Sequence, residues 1–67
     1  MTRRGVVKWF DASKGYGYVI EDGGVDLFCH VRDTVDNAPL EAGQRVQFVR
    51  AEGAKGPRAV AVRVMES

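Results

Sequence analysis

The aromatic side chains of this 67-residue chain are unevenly placed: Trp9, Phe10, Tyr16, Tyr18 and Phe28 fall in the first 28 residues, and only Phe48 lies beyond them. Rings gathered in this way, if they face solvent, suit one kind of chemistry: stacking on flat, unpaired π-systems. A base from a single strand gains about 1–3 kcal/mol on such a ring, with little dependence on which base it is. Lys8 and Lys14 flank the rings, and an ammonium beside a stacking surface can neutralise a phosphate and add a salt-dependent component. A duplex is a poor ligand for the same surface, because its bases already stack on one another.

Other chemistries find little support. His30 is the only histidine and Cys29, its neighbour, the only cysteine. On a strand two adjacent side chains point to opposite faces, which defeats a Cys/His nucleophile pair. Cys29 reads as a small buried filler. A single cysteine also excludes an internal disulfide and a zinc knuckle, and fits a reducing compartment. The acidic neighbours Glu21–Asp22 and Asp33/Asp36 fall in turns, where carboxylates are solvated. The glycines of Lys14-Gly15-Tyr16-Gly17-Tyr18 are not a phosphate cradle, since no helix follows to offer its N-terminus. No catalytic residue, metal or cofactor is expected.

The elements that position the rings are short strands. Eight glycines punctuate the chain, and runs rich in Val, Ile, Tyr and Phe lie between them at about 5–11, 15–21, 26–31, 45–51 and 58–65. Asp22-Gly23-Gly24 reads as a tight hairpin connection, residues 53–57 as a longer turn containing Pro57, and Arg32 to Gly43 as the long loop. Five strands in so short a chain favour closure into a small barrel, which removes the sheet edges. Val19, Leu27, Cys29, Val31, Val46, Phe48, Val60, Val62 and Val64 supply an interior by alternation. The first strand does not alternate cleanly through Val6-Val7-Lys8-Trp9-Phe10, and a bulge there would reconcile it.

Alternation places Tyr16, Tyr18 and Ile20 on one face of the second strand, and Phe28 and His30 on one face of the third. Large rings are usually core. Burying these would turn Val19, Leu27, Cys29 and Val31 to water together and would bury His30. The set is better read as a half-exposed aromatic platform, with the alternating glycines leaving the backbone accessible beside it.

Composition agrees with a folded barrel: 45% hydrophobic and 28% charged, with a net charge of +1. Bulk charge therefore does not attract a polyanion, and the salt slope of binding should be shallow. No apolar run approaches the roughly 20 residues of a membrane span, and no hydrophobic signal core follows the basic start. The expectation is a cytoplasmic, monomeric protein with no membrane partner. Residues 1–67 read as a single domain with its core at about 5–64, either a small protein or one domain of a tandem chain.

Lys14-Gly15-Tyr16-Gly17-Tyr18-Val19 looks like a first ribonucleoprotein motif, and Leu27-Phe28-Cys29-His30-Val31 like a second. With Gly5-Val6-Val7-Lys8-Trp9-Phe10 before them and residues 52–59 after, the chain closely resembles a bacterial cold-shock domain of the proteobacterial type, from about Gly5 to Val64. The RNA-recognition-motif fold shares the first two motifs, but it needs two helices and an aromatic where Glu21 stands. The resemblance implies an all-β, five-stranded antiparallel OB-fold barrel. It further implies binding of single-stranded RNA and DNA, pyrimidine-rich by preference, as an RNA chaperone with a role in gene regulation or cold adaptation. By motif match, it points to Lys8, Trp9, Phe10, Lys14, Tyr16, Tyr18, Phe28 and His30 as contacts, with Lys55 and Arg58 bordering the site.

This sequence also departs from the family pattern. Tyr16 and Tyr18 stand where Phe is usual, so each ring gains a hydroxyl. Asp11 replaces the usual Asn and brings a negative charge toward the expected phosphate path. Val31 often has an aromatic counterpart, and the 32–43 loop is shorter and lacks an aromatic that many members carry. Fewer stacking positions and a weaker affinity follow. An alternative from another class is a small β-barrel protein-interaction module using the same aromatic face. Competition by pyrimidine oligomers separates the two.

Overall fold

The structure, a computed structural model, describes residues 2–54 and 56–65. Its elements are strands β1 (Thr2–Asp11), β2 (Tyr16–Glu21) and β3 (Asp26–His30), a 3-10 turn at Val31–Asp33, and strands β4 (Arg45–Gly53) and β5 (Gly56–Val64). They close into a barrel in the order β1-β2-β3-β5-β4. Four of the pairings are antiparallel; closure is made by a parallel contact between β3 and β5 at Phe28 and Arg58. A second parallel bridge, Thr34 to Val62, ties the long loop to β5.

One strand serves both halves of the barrel. The first part of β1 pairs with β4 and the rest with β2, and Gly5 is partnered on both sides, by Val46 and Glu21. A Cβ at Gly5 would stand 2.3 Å from the Ile20 carbonyl oxygen, so only glycine lets the strands approach where β1 is shared.

The interior holds Val7, Val19, Leu27, Cys29, Leu40, Val46, Phe48, Ala59 and Val62. Leu40 enters from the loop, which alternation along strands does not foresee. Three residues expected inside lie elsewhere. Val31 leaves β3 to begin the 3-10 turn and is half-buried, Val60 is half-buried, and Val64 is 38% exposed. Val64 keeps the inward phase, opposite buried Val46, but lies at the end of β5; for Val60 the cause is a bulge. The register runs from Gln47↔Arg63 to Val49↔Val60, and Ala61 takes a left-handed φ of 51°. Phe48 therefore faces an extra residue, and the buried positions become Ala59 and Val62, three apart instead of two.

The turn after β4 is also shorter than expected. Pairing continues to Gly53↔Gly56, so Pro57 lies within β5, opposite Glu52. That position at the start of the strand tolerates a residue without an N–H. At one end of the barrel Glu21 is buried, and its Oε2 accepts a 2.7 Å hydrogen bond from Arg3 Nη1, with Arg50 4.0 Å away.

Candidate nucleic-acid interface

The aromatic face depends on one irregularity in β1. Val7 pairs with Val19, but the next partner of β2, Tyr18, is Trp9, so Lys8 is an extra residue. Strict alternation from buried Val7 would turn Trp9 inward. The bulge resets the phase: Lys8 and Trp9 are both exposed, and Phe10 returns to pack against the core. The bulge expected in this strand is present, and it turns Trp9 outward and Phe10 toward the core.

Four rings form a continuous surface on β1, β2 and β3. Trp9 lies 5.7 Å from Tyr16 and 5.6 Å from Tyr18; Phe28 lies 5.7 Å from Tyr16, near-parallel to it, and 5.8 Å from Tyr18. These separations fall in the favourable range for ring pairs, so the rings hold one another in place before any ligand arrives. Register explains the cluster. Trp9, Tyr18 and Phe28 occupy one row across the three strands, and Arg58 continues it on β5; Asp11, Tyr16 and His30 form the next row. Trp9 is 39% exposed.

Phe10 stands apart from this surface, on the core side. Beneath it lies Gly17, whose Cβ would stand 2.2 Å from the Trp9 carbonyl oxygen, 2.6 Å from Phe10 Cα and 2.8 Å from the Phe10 ring. Gly17 is buried. Its role is to let β1 and the Phe10 ring close over β2, and it does not open backbone to a ligand, as the alternation of glycines and rings suggested.

The cations are mostly engaged. Lys8 Nζ donates to Asp26 Oδ2 at 3.0 Å. Arg58 Nη2 donates to Asp33 Oδ2 while its guanidinium lies 5.9 Å from the Phe28 ring centroid, a cation–π separation. Lys14 is exposed in the turn between β1 and β2. Lys55 lies outside the described residues. His30 caps the 3-10 turn: its Nδ1 accepts from the Arg32 N–H at 3.1 Å, which leaves Nε2 as the ring's second polar atom. A 210 Å³ recess lined by Phe28, Gly53, Ala54, Gly56 and Arg58 adjoins the row of rings.

Asp11 is less a stray charge than a turn cap. Its Oδ1 accepts from Ser13 Oγ at 2.7 Å, Ser13 N at 3.0 Å and Lys14 N at 3.2 Å. The Ser13 hydroxyl first, and then the Lys14 N–H, hold its carboxyl below the usual carboxylate range. Sequence reasoning missed Asp26 and Asp33 as partners of the site's cations. Asp26 shares the outward phase of Phe28 and His30 and could have been read; Asp33 meets Arg58 only through barrel closure.

The face can therefore stack planar groups and offer a few cations and hydroxyls at its rim. The Cys29 thiol is buried and pushed up to about 12 by desolvation. Among the described residues no three His, Cys, Asp or Glu side chains gather as metal ligands, and no helix is long and apolar enough to cross a membrane.

Comparisons with known proteins agree with this geometry. The profile of the 'Cold-shock' DNA-binding domain matches residues 3–65. The chain is 50% identical over 64 residues to a cold shock-like protein CspA of Bordetella pertussis, covering 91% of this chain and 96% of that one. It is 46% identical over 65 residues to a cold shock-like protein of Thermotoga maritima, covering 94% and 98%. Among solved structures, Drosophila Unr CSD456 superimposes with a TM-score of 0.81 at 15% identity, over 98% of this chain. This chain spans 27% of that one, and the likeness is one of fold.

Proposed function

The chain belongs to the cold-shock domain family of nucleic-acid-binding proteins, and from that premise we propose that it binds unpaired RNA and DNA by stacking bases on Trp9, Tyr16, Tyr18 and Phe28. The observation that carries this reading is the continuity of the four rings on one outer face. Successive bases can lie on successive rings at about 1–3 kcal/mol each. His30 and the two tyrosine hydroxyls supply hydrogen bonds to base edges, and Lys14 and Lys55 meet the backbone. Lys8 and Arg58 contribute after exchanging Asp26 and Asp33 for phosphate. Phe10, partly buried against the core, contributes less to stacking than those four rings.

Binding of this kind holds strands open passively, by capturing bases as they unpair. We read the protein as a monomeric, cytoplasmic RNA chaperone, without catalysis or a cofactor, that favours pyrimidine-rich single strands and serves gene regulation or adaptation to cold. Residues 1–67 act as one domain in this reading.

The test uses Trp9, the only tryptophan. Its fluorescence is titrated with a short oligothymidine and with a duplex, at two salt concentrations. Strong quenching by the single strand, little by the duplex and a shallow salt slope are expected. A folded protein whose Trp9 signal ignores the single strand would instead favour a protein-interaction role for the aromatic face.

A further inference from the structure

Among the described residues the largest group of unbalanced positive charge lies away from the rings. On the aromatic face Lys8 is paired with Asp26 and Arg58 with Asp33, and Asp11 sits at the rim beside Lys14. The outer face of β1, β4 and β5 carries Arg4, Arg45 and Arg63, all exposed. Their direction follows from alternation: Gly5, Val46 and Val62 are buried, so the residues adjacent to them point outward.

Register brings the three together. Arg4 is opposite Gln47, which is opposite Arg63, and Arg45 lies two residues from Gln47 on β4. Strand spacing puts Arg4 and Arg63 about 10 Å apart, with Arg45 displaced by about 7 Å along the sheet. Among the described residues neither the Arg4 nor the Arg63 side chain has an ion pair or hydrogen bond, and Arg45 has only Asp22, at 3.7 Å with both side chains more than half exposed. Like charges held this close on a rigid sheet repel one another and are relieved by an anion.

We propose that this face is a second nucleic-acid contact surface, which takes the sugar-phosphate backbone of a single strand by charge alone and leaves its bases unread. The barrel measures 19 Å in its smallest dimension. One molecule thus engages two strand segments on opposite sides, one stacked on the rings and one lying across the arginines. The first of these rests on the stacking reading above; the second does not. The two faces differ in kind: stacking is insensitive to salt, whereas three arginine–phosphate contacts make binding fall about tenfold when monovalent salt is tripled.

The probe is a labelled abasic deoxyribose-phosphate strand, which carries phosphates and no bases. Its anisotropy is followed on protein carrying one equivalent of a short oligothymidine, bound at the rings as Trp9 reports, so that the arginine face stays open to the probe. The abasic strand should bind without displacing the oligothymidine. The R4Q/R45Q/R63Q variant should lose abasic binding by tenfold or more and keep its oligothymidine affinity. The three side chains are exposed, so the fold should tolerate their loss, and Arg63→Gln alone should give a smaller loss in the same direction. Displacement of the oligothymidine by the abasic strand, or equal abasic binding by wild type and variant, would overturn the proposal. Abasic binding with no Trp9 response to oligothymidine would leave this surface standing and remove the stacking reading instead.

Discussion

Phe28→Ala removes the ring that touches Tyr16 and Tyr18 at once and underlies the Arg58 guanidinium. Two separate losses follow. On the ligand side, one base loses its stacking partner, about 1–3 kcal/mol, which weakens oligothymidine binding between about 5-fold and about 150-fold. On the fold side, two ring pairs at about 0.5–1.5 kcal/mol each disappear, so up to about 3 kcal/mol of stability is at stake. A barrel this small has only a few kcal/mol to lose. The ring is half-buried and lies outside the core cluster, which keeps the loss toward the lower end and the variant folded at low temperature. The assay is a Trp9 titration with oligothymidine, each affinity corrected for the folded fraction given by urea unfolding of the same sample. A Phe28→Ala/Tyr18→Ala double variant should cost less than the sum of its singles, because the two rings share one contact. A folded Phe28→Ala protein with unchanged affinity would refute the argument, since the most connected ring of the platform would then be irrelevant to the ligand. Complete unfolding would refute it differently, by showing that the ring serves as core.

Further outcomes are expected at three residues. Asp11→Asn keeps an acceptor oxygen for Ser13 and Lys14 while removing the charge, so the fold should persist and oligothymidine should bind more tightly, most visibly at low salt; an unchanged affinity would place Asp11 off the phosphate path. Because the Asp11 carboxyl is held below its ordinary value of 3.8, the turn's stabilisation is present above that pH and is lost as pH falls through the lowered value; pH-dependent exchange of the Lys14 amide checks it. Gly17→Ala drives a methyl into the Trp9 carbonyl and the Phe10 backbone, so thermal unfolding should show a loss of about 3 kcal/mol or more; a near-native midpoint would mean that β1 can move aside. Cys29 should resist thiol reagents in the native protein and react only as fast as the barrel opens. Its raised value also means that stability, full below 9, falls as pH rises from 9 toward about 12; rapid labelling of folded protein would contradict the burial.

Much of the aromatic face was legible from residue order. On β2 and β3 the alternation of rings with Gly17, Val19, Leu27 and Cys29 is a local property of extended backbone, and the same facing arrangement appears in the barrel. The broken pattern at Val6–Phe10 also announced a bulge. Sequence alone could not say which residue was extra, because a bulge is counted against a partner strand. Pairing with β2 decided that Lys8 is the insertion, and with it that Trp9 faces out and Phe10 in. The bulge opposite Phe48 likewise moved burial from Val60 to Ala59 while Val62 stayed inside. Barrel closure brought Asp33 to Arg58 across 25 residues and set Arg4, Arg45 and Arg63 on one face. Side-chain direction along an unbroken strand repeats every two residues and belongs to the sequence. Register, bulge position and charge pairing are relations between strands far apart in the chain, and only the closed barrel defines them.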